Sequence, residues 1–141
     1  MKNRGQTVTL LMVEDDDVDA MAMERALRKE DVTCQLLRAC DGREALDLLD
    51  AGRVSSPYLV LLDLNLPRMG GHEFLAALRA DPRYASSVVF VYSTSDNPTD
   101  VARAHERHVA GYVLKRGADS DTRFVSLLRS YCTTVHMNMN G

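Results

Sequence analysis

The sequence predicts an open α/β sheet, five parallel strands with helices packed on both faces, and three features point to it. Short apolar runs recur at Thr7 to Val13, Val32 to Arg38, Tyr58 to Asp63, Val88 to Ser93 and Gly111 to Leu114. They are rich in Val and Leu without strict alternation, which is how strands buried on both faces read. The segments between them carry a helical period instead. Strand and helix alternate five times, and that alternation calls for right-handed crossovers and a sheet covered by helices.

Each helix has its own start signal or apolar stripe. Asp16 or Asp17 precedes the first, and Asp41 precedes the second, whose inner face is Ala45, Leu48 and Leu49. Short polar side chains at these positions accept from the free N–H groups of the first turn. The third helix presents Gly71, Phe74, Leu75 and Leu78 on one face. Asn97-Pro98 opens the fourth, with proline where its missing N–H costs nothing. Asp119 to Asp121 precede the fifth, whose stripe is Phe124, Leu127, Leu128 and Tyr131.

A chain of 141 residues and 15.7 kDa is the size of one domain. Its expected limits are residues 7–134, with a disordered segment 1–6 and a C-terminal tail 135–141 that is flexible or docked on a dimer partner. Seventeen basic against twenty acidic residues leave a net charge of −3, without the basic excess that a nucleic-acid surface requires. Apolar runs such as Val8 to Val13 fall far short of the ~20 residues that cross a bilayer. Glu14 to Asp17 follow at once, unlike a secretory signal, so a cytoplasmic location with no membrane contact is expected. Cys34, Cys40 and Cys132 are odd in number and form no CxxC pair, which argues for reduced, mostly buried thiols and against a disulfide framework or a zinc site. His105 and His108 would share a helix face, but without a third ligand they read as a solvated or interface pair.

Open α/β sheets bind ligands beyond the carboxyl ends of their strands. Glu14-Asp15 closes the first strand and Asp63 the third, so adjacent strands would crowd their carboxylates. Unless one is protonated, such a group calls for a cation. Mg²⁺, or Mn²⁺ in its place, suits all-oxygen ligation, and the backbone carbonyl of Asn65 could add a further oxygen. Asp16, Asp17 and Asp19 read instead as acids of a first helical turn that favour its dipole. Ser93 closes the fourth strand and Lys115 the fifth. Acids, a hydroxyl and a lysine around a divalent cation suit phosphoryl transfer, which is mostly positioning and charge neutralisation. No GxxxxGK[ST] loop is present, so the phosphoryl group must arrive on a donor other than a loop-bound nucleotide.

These residues carry a resemblance. Leu10-Leu11-Met12-Val13-Glu14-Asp15-Asp16 resembles the first-strand acid motif of response-regulator receiver domains in two-component signalling, and Leu61 to Gly71 resembles their phosphorylation segment. Ser93 and Lys115 follow Asp63 at the family's spacings, and the match runs from about Thr7 to Tyr131. The resemblance implies a flavodoxin-like sheet of order 2-1-3-4-5 with five helices on both faces. It implies that Asp63 accepts a phosphoryl group from a partner histidine kinase, and that Asp15, Asp63 and the Asn65 carbonyl hold Mg²⁺, with Glu14 acting through a metal-bound water. Lys115 would pair with Asp63 and then with phosphoryl oxygens. Ser93 would hydrogen-bond the same group, and Tyr112 would be the switch aromatic that follows it. Asn65 and Thr94 flank the site at positions that tune the attacking water, with the β-branched Thr94 shielding the acyl phosphate.

Val13 to Asp16, Leu62 to Pro67, Ser93 to Asp96 and His108-Val109 before Gly111-Tyr112 further resemble the small stand-alone receivers that partner phytochrome-type histidine kinases. That implies a light-sensing kinase as partner and a homodimer through helix 4, strand 5 and helix 5. The signal would leave through protein contacts or onward transfer to a phosphotransfer protein. The chain would promote only its own phosphorylation and dephosphorylation and would not be an enzyme in any other sense.

Two departures from the family pattern stand out. Arg116 follows the lysine where the family usually has a proline joined by a cis peptide, and a cis bond before a non-proline costs about 3 to 4 kcal/mol. A trans Lys115-Arg116 peptide is expected, eased by Gly117, with a shifted loop that alters the aim of Lys115. Ser93 replaces the commoner threonine and lacks the methyl that restricts χ1. Two other readings are an unphosphorylated pseudo-receiver adaptor, which Arg116 favours, and a Mg²⁺-dependent aspartyl-nucleophile phosphatase of the haloacid-dehalogenase type. The latter wants an acid two residues after the nucleophile, where this chain has Asn65.

Overall fold

The computed structural model describes residues 7–139, with side chains described as far as Tyr131. The expected N-terminal segment 1–6 lies outside the described residues. The strands are β1 (Val8–Val13), β2 (Cys34–Ala39), β3 (Tyr58–Leu62), β4 (Val88–Ser93) and β5 (Gly111–Leu114). Between and after them run α1 (Asp17–Lys29), α2 (Gly42–Asp50), α3 (Gly71–Ala80), α4 (Pro98–Glu106) and α5 (Ser120–Met139). All strand pairs are parallel, in the order β2-β1-β3-β4-β5, the flavodoxin-like arrangement expected.

Alternate residues of each central strand face opposite sides of the sheet. Leu11, Val13, Val60, Leu62, Val89 and Val91 pack with Phe74, Leu75 and Leu78 of α3 and Ala45, Leu46 and Leu49 of α2. Leu10, Met12, Leu59, Leu61, Phe90 and Tyr92 pack with Met23 and Leu27 of α1 and Phe124 and Leu128 of α5. Both faces are thus covered, which is why these strands read as unbroken apolar runs.

The caps form largely as expected. Asp16 accepts from Asp19 N at 2.9 Å, and Asn97 accepts from Thr99 N at 2.8 Å ahead of Pro98. Asp41 accepts from Glu44 N at 2.8 Å, while Glu44 accepts from Cys40 N at 2.7 Å. The other Asp41 oxygen takes Arg68 Nε at 2.5 Å, tying the start of α2 to the loop after β3. These donors, the Glu44 N–H first, hold the buried Asp41 carboxyl below its ordinary 3.8. A depressed carboxylate stabilises the fold above its unfolded value, and that contribution disappears as pH falls through the folded one. Asp41→Ala is expected to lower unfolding free energy by about 1 to 2 kcal/mol at pH 7. In denaturant titrations its deficit against the wild type should shrink below pH 3.8, and an equal deficit at pH 3 would exclude the carboxylate charge as its source.

Four details differ from expectation. β2 begins at Cys34 rather than Val32, because Asp31 adopts a left-handed φ of 56° and Val32 N bonds back to Leu27 O at 3.0 Å. That geometry closes α1 and withholds the Val32 N–H from the ladder. α5 continues to Met139, so residues 135–139, expected beyond the last helix, extend it. His108 lies past the end of α4 with φ 60° and does not share a helix face with His105. Cys34 and Cys40 are free and only half-buried.

Candidate phosphoacceptor site

The sheet register brings the expected residues to one edge. Val13 is level with Leu62 and Leu62 with Val91, so Glu14 and Asp63 are the next residues on neighbouring strands and Ser93 stands at the end of β4. The ladder continues into the site, with Asp63 N donating to Val13 O at 3.1 Å and Lys115 N to Ser93 O at 2.8 Å. Glu14 is 5% exposed and Asp63 8%, whereas Asp15 is open to solvent. One carboxylate oxygen from each of the three lies within 4.8 Å of the others.

Lys115 Nζ donates to Glu14 Oε1 at 2.6 Å, Asp19 Oδ2 at 3.0 Å and Asp63 Oδ2 at 3.2 Å. Burial alone would push this amine down, but the Glu14 hydrogen bond and the charges of Asp63 and Glu14 carry it above the ordinary lysine value. It is therefore an ammonium at neutral pH. Burial pushes Glu14 up to about 7, against the Lys115 hydrogen bond and with the help of the Asp63 charge. One ammonium does not balance the acids around it. A dense set of hard oxygen donors with surplus negative charge fits a divalent cation of the Mg²⁺ or Mn²⁺ kind.

Ser95, which the sequence reading gave no role of its own, ties this edge to three elements. Its N–H donates to Ser93 Oγ at 3.2 Å, its hydroxyl to Asp100 Oδ2 of α4 at 2.6 Å, and its carbonyl accepts from Tyr112 Oη of β5 at 2.7 Å. His72 of α3 hydrogen-bonds the other Asp100 oxygen at 3.1 Å. Tyr112 thus has its hydroxyl on the β4–α4 loop and its ring against the α3 side of the core. Asn65 N donates to Asp63 Oδ1 at 3.0 Å, and Asn65 Nδ2 lies 3.5 Å from Thr94 Oγ1.

Lys115-Arg116 is trans, as expected. Gly117 takes φ 86°, Arg116 pairs outward with Asp96 at 2.8 Å, and Arg123 donates to the Arg116 carbonyl at 2.9 Å. The loop still delivers Lys115 to Asp63. Asp19, read from the sequence only as a first-turn acid that favours the helix dipole, also reaches the site through Lys115. No signal in the sequence separates it from its first-turn neighbour Asp17.

A parallel sheet of this order with an aspartate at the head of β3, acids after β1 and a lysine after β5 defines a receiver. Residues 10–124 match the model of the response regulator receiver domain, and the chain belongs to that family. It is similar to the response regulator Rcp1 of Synechocystis, 34% identical over 75% of this chain and 75% of that protein. The Mn²⁺-bound structure of Rcp1 has a TM-score of 0.78 at 31% identity, covering 87% of this chain and 92% of that one. The phosphorylated cyanobacterial phytochrome response regulator RcpA has a TM-score of 0.81 at 30% identity, covering 92% and 96%. A probable methanogenesis regulatory protein, FilR2 of Methanothrix harundinacea, is 38% identical over 75% of this chain and 70% of that protein.

Proposed function

We propose that this receiver accepts a phosphoryl group on Asp63 from the phosphohistidine of a partner histidine kinase. The observation that supports it best is the contact of the Lys115 ammonium with the Asp63 carboxylate, 3.2 Å apart at the buried head of β3. An Asp63 oxygen attacks phosphorus, the P–N bond breaks, and the imidazole leaves with its electron pair and takes a proton from solvent. Asp63 becomes an acyl phosphate. Lys115 pairs with the phosphoryl oxygens, and the Ser93 hydroxyl, which already accepts from Ser95 N, keeps its own proton to donate to them. A Mg²⁺ or Mn²⁺ ion bound by Glu14, Asp15, Asp63 and the Asn65 carbonyl would neutralise oxygen charge during transfer.

Ser93 Oγ accepts from the N–H of Ser95, the residue whose carbonyl accepts from Tyr112 Oη and whose hydroxyl donates to Asp100 of α4. Drawing the Ser93 hydroxyl toward a phosphoryl group shifts Ser95, and with it Tyr112 and α4. The partner class is a phytochrome-type histidine kinase, on the likeness to the cyanobacterial phytochrome response regulator RcpA. The signal leaves through changed contacts of a homodimer at α4, β5 and α5, or through a phosphotransfer protein. The chain works in the cytoplasm, and no described helix is long and apolar enough to cross a membrane. It turns over no separate substrate.

Intact-protein mass after incubation with Mg²⁺ and acetyl phosphate tests this reading. The wild type should gain one phosphoryl group and Asp63→Asn none. No gain by the wild type with acetyl phosphate or a phosphorylated kinase would leave the pseudo-receiver adaptor as the better reading.

A further inference from the structure

The Lys115 ammonium has three N–H groups, and three carboxylates surround it: Glu14 at 2.6 Å, Asp19 at 3.0 Å and Asp63 at 3.2 Å. Two of them, Glu14 and Asp63, also belong to the oxygen cluster suited to a divalent cation. Oxygens engaged by a dication bind an ammonium far less well, and the like charges repel. With the cluster filled, Glu14 and Asp63 can no longer aim Lys115 by themselves. Asp19 stands outside the cluster, in the first turn of α1, with its side chain 45% exposed. The main chain around Lys115 is pinned by the Ser93 carbonyl and, through Arg116, by Asp96 and Arg123, but these contacts stop at the backbone or point outward. Tyr92 offers only its ring, 5.6 Å from Nζ.

We propose that Asp19 is a positioning residue that anchors the Lys115 ammonium over Asp63 while Glu14 and Asp63 are engaged by a divalent cation. Asp19 does not touch the transferring group. Its carboxylate sets where the lysine waits, replacing the aim that Glu14 and Asp63 supply in the cation-free protein. The consequence for phosphoryl uptake rests on the phosphoacceptor reading. The anchoring itself does not, because it is a property of the cation-loaded protein before any donor is added.

Two measurements on wild type, Asp19→Asn and Asp19→Glu decide it. The first is the hydrogen-exchange rate of the Lys115 side-chain ammonium, followed by ¹⁵N NMR in saturating Mg²⁺ without donor. A partly exposed ion pair is worth little more than about a fivefold population change, so exchange should quicken about fivefold in Asp19→Asn. Asp19→Glu should recover much of the protection. The second is the rate of phosphoryl uptake from acetyl phosphate, which should fall by a similar factor in Asp19→Asn and recover in Asp19→Glu. If Asp19 serves only the dipole of α1, Asp19→Asn lowers the melting temperature and leaves exchange and uptake unchanged, and the proposal is overturned. Faster uptake in Asp19→Asn overturns it too, since Asp19 would then be withholding the lysine. A wild type that takes up no phosphoryl group removes the phosphoacceptor reading, while the exchange rates still decide the anchor.

Discussion

Lys115→Met should lose phosphoryl uptake by about 100-fold or more, the usual effect of deleting one preorganised donor from a group on which charge develops. The same variant should bind Mg²⁺ more tightly than the wild type. Lys115 places a positive charge within 3.2 Å of Glu14 and Asp63, two of the carboxylates suited to that ion, and competes for their oxygens. Removing it leaves Glu14 without the hydrogen bond that opposes its burial, so Glu14 should titrate above its present value of about 7 in the metal-free variant. Uptake and metal affinity therefore move in opposite directions, which a general loss of folding cannot produce. Intact-protein mass measures the first and calorimetric Mg²⁺ titration the second. Uptake within tenfold of the wild type would show that Lys115 is not the group that neutralises the phosphoryl oxygens.

The sheet was legible because both of its faces are buried. A strand covered by α2 and α3 on one side and α1 and α5 on the other has no polar face to interrupt its run, and β4 and β5 begin and end where the sequence places them. Strand limits failed where a hydrogen bond rather than hydropathy decides. Val32 is apolar enough for β2, but its N–H belongs to the end of α1. The acids and the lysine of the site were legible because chain order places strand ends together once the sheet order is known. Asp19 and Ser95 were not, because their roles depend on side-chain reach across elements. An acid in a first turn and a serine in a loop are ordinary at those places. Only the distances from Asp19 to Lys115 and from Ser95 to Asp100 and Tyr112 separate them from their neighbours Asp17 and Asp96.

Gly71→Ala tests how closely the fold and the site are joined. A Cβ at this position would lie 2.5 Å from Leu64 Cα and 2.8 Å from Asp63 O, both main-chain atoms that no rotamer change can move aside. The same segment is closed by the bond from Gly71 N to Leu64 O at 3.2 Å, so α3 starts against the residues that carry Asp63. Forcing a methyl into a packed site typically costs 1 to 3 kcal/mol, and contact with two main-chain atoms of the Asp63–Leu64 peptide argues for about 3 kcal/mol here. Part of that cost is escaped only by shifting the Asp63–Leu64 peptide, which would move the carboxylate away from Lys115. Denaturant unfolding should show the loss, and phosphoryl uptake by the folded fraction should fall at the same time. Gly70→Ala is the control, because a Cβ there meets nothing within 4 Å. It should keep both stability and uptake close to those of the wild type, within about 1 kcal/mol for a capping position that has no side-chain bond to lose. Equal behaviour of the two variants would mean that α3 can retreat from the β3 loop without cost, and that the close approach at Gly71 does not position Asp63.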